Sequence, residues 1–112
     1  MKKIIKIITY VTMIILTASY IMTDEVSAQT VEKIELENAK EHFVNGEYRQ
    51  AVRIYDQLLE NNPNDITILK MKAIALSNSN DDLNSLKYFY KIIQQDPDNI
   101  IALTGMGIGF GN

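Results

Sequence analysis

Between Tyr48 and Leu59 the apolar residues are Tyr48, Ala51, Val52, Tyr55, Leu58 and Leu59. That i, i+3, i+4, i+7 spacing puts one stripe along a helix of 3.6 residues per turn. The charged residues Glu47, Arg49, Arg53, Asp56 and Glu60 fall off the stripe and read as a solvated outer face. The pattern predicts an amphipathic helix from Glu47 to Asn61. Before it, Ile34, Leu36, Ala39, Phe43 and Val44 predict another from Glu32 to Asn45, closed by the turn signal Asn45-Gly46. Asn62-Pro63-Asn64-Asp65 stops the second helix and offers capping side chains to the next. The plan then returns: a helix from Ile66 to Asn78, a "SNSND" turn, and a helix from Asp82 to Gln95 carrying Leu86, Phe89, Ile92 and Ile93.

The first 28 residues follow a different pattern. Lys2, Lys3 and Lys6 make a positive head, and Ile7 to Met22 is an uncharged, mostly apolar run of 16 residues. The segment ends in the small residues Val26-Ser27-Ala28, spaced as a signal peptidase accepts them. This layout predicts a secretory signal peptide cleaved after Ala28, with an uncleaved membrane anchor as the alternative and a buried core helix as the third reading. Either of the first two places the remainder outside the cytoplasm, with the lysines held on the cytoplasmic side.

The return of the helical plan has a fixed period. Pro63 recurs as Pro97, Tyr55 as Phe89, Ala51 as Ser85, Ala39 as Ala73 and Gly46 as Asn80, each 34 residues on. Asn80 is a residue that tolerates the left-handed turn a glycine supplies. The block 61–78 also lies over 95–112, matching at proline, Ile66/Ile100, Leu69/Leu103, Ile74/Ile108 and Asn78/Asn112. Helix pairs repeated at this period cannot bury both apolar faces alone, so neighbours must stack.

Ala39, Gly46, Tyr48, Ala51, Tyr55, Leu58 and Pro63 form a pattern that resembles the tetratricopeptide repeat, and Ala73, Leu76, Phe89, Ile92 and Pro97 continue it. The resemblance covers Glu32 to Asn112, about 2.4 repeats of a 34-residue period. It departs from the family pattern at Glu35, His42 and Asp82, where aromatic residues are expected, and at Ser85. It implies an all-α solenoid of antiparallel helix pairs: residues 32–65 as the first repeat, 66–99 as the second, and 100–112 as the first helix of an incomplete third. It also implies a concave groove lined by the first helix of each repeat. Mapped onto this chain, that face is Lys33, Leu36, Lys40, Phe43 and Val44, then Thr67, Lys70, Ile74, Ser77 and Asn78, then Ile101, Thr104 and Ile108. The family binds proteins and peptides, so a non-catalytic adapter or scaffold is expected. An accessory repeat segment of a longer protein, whose activity lies beyond Asn112, is the alternative.

The end of the chain, "TGMGIGFGN", fits this frame. Its glycines do not make a dinucleotide fingerprint, since position 110 is Phe and the preceding segment is a helix and turn. Gly107 takes the place of Ala73, the close-contact position. Glycines each cost about 1 kcal/mol in a helix interior. The helix is therefore expected to fray after about Met106 and to leave apolar surface that promotes self-association.

Composition narrows the chemistry. There is no cysteine, which excludes disulfides, zinc–thiolate sites and thiol catalysis. One histidine, His42, sits at a packing position with no serine or cysteine partner indicated. Asp96 and Asp98 lack the glycine and later glutamate of a calcium loop and read as capping residues. No cofactor, metal or catalytic group is expected. From Gln29 onward there are 8 basic and 12 acidic residues, which disfavours nucleic acid. Tyr88 and Tyr90, beside Phe89, read as packing rather than a base-stacking platform. Yet the mapped groove contains lysines and no acid, so an acidic or C-terminal-carboxylate peptide with apolar anchors is the expected partner.

Overall fold

The structure is a computed structural model that describes the backbone of residues 2–111 and the side chains of residues 2–17 and 27–107. Five helices run through the described residues: α1 (Lys2–Val44), α2 (Tyr48–Asn61), α3 (Ile66–Asn78), α4 (Asp82–Gln95) and α5 (Ile100–Gly111). No strand occurs among them. The chain divides into two units, Met1–Lys33 and Ile34–Asn112.

In the second unit each helix packs on the next: α2 on α3, α3 on α4 and α4 on α5. One core cluster joins Ala39, Ala51, Tyr55, Leu58, Ile68 and Ala75. A second joins Leu69, Ala73, Phe89, Ile92 and Ala102, and Leu59 packs against both. The chain is thus all-α with packed adjacent helix pairs, an arrangement compatible with a helical repeat. The sequence period is visible in the burial. Ala39 and Ala73, Ala51 and Ser85, Tyr55 and Phe89, and Leu58 and Ile92 are each 34 apart, and all are buried. Ser85 stands in for alanine because its hydroxyl donates to the buried Ala73 carbonyl at 3.0 Å, which satisfies the polar group that burial would otherwise penalise.

The turns repeat as well. Gly46 has φ +76° and Asn80 has φ +65°, the left-handed region that only glycine enters freely. Gly46→Ala is therefore expected to lower stability by about 1 kcal/mol, and Asn80→Gly to raise it by about 0.5 kcal/mol. Urea midpoints of the two variants check both signs. Caps follow the same period: the Ile68 N–H donates to Asp65 Oδ1 at 3.2 Å, and the Ala102 N–H to Asn99 Oδ1 at 3.1 Å. The stop-and-cap role read into the proline turns is filled by these residues 34 apart, with Asn99 in turn donating to Asp96 Oδ2.

Two expectations for the last helix change. The helix continues to Gly111, past Met106. Its glycines are offset by packing: Ala102 is fully buried and Met106 lies against the second core cluster. The close-contact position is Gly105, not Gly107. A Cβ on Gly105 would lie 2.7 Å from Phe89 Cδ2, whereas one on Gly107 would meet nothing within 4 Å. Gly105 faces the preceding helix α4, and Gly107 faces none of the described residues. The expected role of Ile108 falls outside the described side chains.

In the first unit the apolar side chains of Ile4, Ile5, Ile7, Ile8, Val11, Met13, Ile14, Ile15 and Leu16 are all exposed. The hydroxyls of Thr9, Thr12 and Thr17 donate to the carbonyls of Ile5, Ile8 and Met13, one turn back. Among the described residues no helix is long and apolar enough to cross a membrane. The rear of the expected signal segment, through Val26 of the cleavage motif, lies outside the described side chains. The helix expected to begin at Glu32 instead belongs to α1, because no glycine, proline or other breaker interrupts residues 23–31.

Candidate functional site

On α3, residues Thr67, Lys70, Ile74 and Asn78 recur at helical spacing and share one face. α5 is set beside the second half of that face. Between them opens a cleft of about 300 Å³ lined by Ile74, Ser77 and Asn78 from α3, Phe89 from α4, and Ile100, Ile101, Thr104 and Gly105 from α5. Phe89 is almost wholly buried and contributes an aromatic wall. Gly105 has no side chain to hold α5 away from that ring, so α5 closes the cleft on one side. Ser77, Asn78 and Thr104 are its hydrogen-bonding members. The cleft has the size of a pocket for one or two apolar side chains, with amide and hydroxyl groups at hand for a peptide backbone.

Five residues of the expected groove meet here: Ile74, Ser77, Asn78, Ile101 and Thr104. Lys70 is half-buried one turn before Ile74 and has no ion pair among the described residues. Thr67 is exposed a turn earlier. The α1 members behave differently. Leu36 and Phe43 pack against the first core cluster, and Phe43 meets Tyr48 edge-on with ring centroids 5.4 Å apart. Val44 is exposed at the helix end. Lys33 belongs to the first unit. Lys40 Nζ lies 3.0 Å from Glu37 Oε1, so the face read as free of acid is not free of it on α1. The i, i+3 spacing brings that glutamate round to Lys40.

Other expected residues also acquire partners. His42 Nδ1 bonds to the Glu47 carboxylate across the Asn45-Gly46 turn, both side chains being partly exposed. Asp56 does not simply face water: it pairs with Lys72 Nζ. That ammonium also sits 3.8 Å from the centroid of the Tyr88 ring, which gives Tyr88 a cation–π role. Tyr90 is exposed. Burial alone would push the Lys72 ammonium toward lower pKa, but bonding and attraction from Asp56 and Tyr88 outweigh it, and the net direction is up from the ordinary 10.5. Tyr55 is buried with its hydroxyl unpartnered, and desolvation raises its pKa above 10.0. Phenylalanine stands at the equivalent position 89, so Tyr55→Phe is expected to raise stability by about 1 kcal/mol by removing an unpaired buried hydroxyl. Thermal unfolding of the variant checks this. Among the described residues no group of three or more His, Asp or Glu could hold a metal ion.

No protein-family model matches the chain, and neither does any curated protein. Phe89, Gly105 and the Lys72 clamp were not singled out from the sequence as site residues. Their only sequence signal is the 34-residue offset, which marks Phe89 as core, and a lysine at a position whose helical neighbours are apolar.

Proposed function

We propose that the chain is a tetratricopeptide-type repeat module that binds a peptide along α3 and α5 and works as a non-catalytic adapter or assembly scaffold. The observation that carries this reading is the cleft over Phe89, where five residues of the mapped groove converge. An apolar anchor fits the cleft, and Lys70, one turn away, suits an acidic or C-terminal carboxylate. The N-terminal helix supports an exported or membrane-tethered location. Its apolar side chains between Ile4 and Leu16 are exposed, the hydroxyls of Thr9, Thr12 and Thr17 are bonded to its own backbone, and three lysines head it. Cleavage after Ala28 gives a native product beginning at Gln29, and an intact anchor gives a full-length membrane species. A full-length species in the soluble cytoplasmic fraction is the result that overturns both.

The groove is tested by affinity capture from the native envelope fraction with the full chain, then with Lys70→Glu and Thr104→Arg. Thr104 is exposed, so arginine there fills the cleft without entering the core. Each variant is expected to weaken the captured partner about tenfold, the Lys70 effect shrinking at high salt because exposed charges are screened. Unchanged binding by both overturns the groove. A second reading, an accessory segment of a longer protein, is favoured by the open side of α5, where Leu103 is 50% exposed. The mass of the native gene product separates the two.

A further inference from the structure

A second cleft, of about 460 Å³, lies on the other side of α3 from the first. Arg49, Val52 and Arg53 of α2 line it, together with Leu76 near the end of α3 and Ser79, Asn80 and Asp81 of the following turn. Arg49 and Arg53 are four apart on one helix, so their like charges are neighbours and oppose each other. Neither guanidinium has an ion-pair partner among the described residues.

The acids that could have neutralised them are committed elsewhere. Glu47 bonds to His42. Asp56, at i+3 from Arg53, pairs with the buried Lys72. Asp81 lines the cleft itself, but its carboxylate caps α4, accepting from the Asn84 N–H at 3.4 Å and from Asn84 Nδ2 at 2.9 Å. Two guanidinium groups therefore stand over an apolar patch of Val52 and Leu76 without an ion-pair partner, and the cleft's one carboxylate, Asp81, balances only one of them. The chain around them is acidic overall, which makes this local surplus a property of the cleft and not of the composition.

We propose that this cleft is a second binding site, taking a side-chain carboxylate of an acidic peptide segment with an apolar neighbour on Val52 and Leu76. Guanidinium groups bind carboxylates through paired N–H donors, which a fixed pair on one helix turn can present together. Asp81 sets the class of anion. Two positive charges against one negative leave a single positive charge over, which matches one carboxylate and disfavours a phosphate dianion. Ser79 and Asn80 lie where a peptide backbone beside that carboxylate would run. The site is separate from the cleft between α3 and α5, so it stands or falls independently of the groove.

The test uses the full chain and a blocked hexapeptide of alternating leucine and glutamate, followed by NMR at the arginine Nε–Hε groups. The Arg49 and Arg53 signals are expected to shift saturably with this peptide and not with its leucine–glutamine counterpart. Arg49→Gln/Arg53→Gln is expected to weaken binding about tenfold, the loss of two exposed charge-assisted contacts, with helicity and unfolding midpoint unchanged because both side chains are exposed. Lys70→Glu is expected to leave these shifts in place. Equal shifts with the glutamine peptide, unchanged affinity in the double variant, loss of the shifts in Lys70→Glu, or stronger binding of inorganic phosphate than of the peptide would each overturn the proposal.

Discussion

Asp56→Asn is expected to destabilise the protein by about 2 kcal/mol, while Lys72→Met, at the other end of the same ion pair, costs less than about 1 kcal/mol. The asymmetry follows from where each charge sits. Lys72 is only 7% exposed, but the Asp56 side chain is 49% exposed. Removing the carboxylate leaves an ammonium among Tyr88 and the helix walls with nothing to balance it. Removing the lysine leaves a carboxylate that turns into water, and methionine keeps the apolar stem packed. The usual cost of orphaning a buried charge is about 3–5 kcal/mol, and half-exposure of Asp56 screens part of it.

The pH dependence has a definite sign. The folded pKa of Lys72 is raised, so the clamp stabilises the protein fully below the ordinary lysine value. It is lost only as pH rises through the folded value. The gap between Asp56→Asn and the parent is expected to be level through neutral pH and to close in the alkaline range. Urea titrations at a series of pH values measure it. A gap that stays open through the alkaline range, or a larger loss in Lys72→Met than in Asp56→Asn, would show that the clamp does not form.

Much of the helical plan was legible because turn chemistry and amphipathic period agree. The limits Ile66–Asn78 and Asp82–Gln95 match the structure residue for residue, each set by a proline turn or a serine–asparagine run. α1 was not legible in extent. Its start cannot be placed where no breaker occurs, and its apolar run and its core-facing stripe merge into one helix. The α3 face could be read from its period, since Thr67, Lys70, Ile74 and Asn78 needed only 3.6 residues per turn. The partners of charged residues could not. Lys40 takes Glu37, Asp56 takes Lys72, and Asp81 turns to its own helix. The first and last are local, an i,i+3 pair and an N-cap that compete with other partners, while the Asp56–Lys72 pair depends on which neighbouring helix stands within reach. A lysine on a helix packed between α2 and α4 counts as polar in a pattern, yet its ammonium is held inside.

The same dependence on neighbours separates two glycines two residues apart. Gly105→Ala is expected to lower stability by about 1–2 kcal/mol, although alanine is the better helix former by about 1 kcal/mol. Its Cβ would enter the Phe89 ring, and that ring cannot simply back away from α5: it is 3% exposed and clustered with Leu69, Ala73, Ile92 and Ala102. Either α5 lifts away or the second core cluster shifts, and both cost more than the propensity gain. Gly107→Ala meets nothing within 4 Å, so the propensity gain is realised and stability is expected to rise by about 0.5–1 kcal/mol. Lifting α5 also widens the cleft over Phe89, so Gly105→Ala is expected to lose groove binding while Gly107→Ala keeps it. Thermal unfolding and binding to the captured partner read the two effects on the same samples. Equal stabilisation by both alanines would mean that α5 is not seated on Phe89, and the cleft would lose its aromatic wall with it.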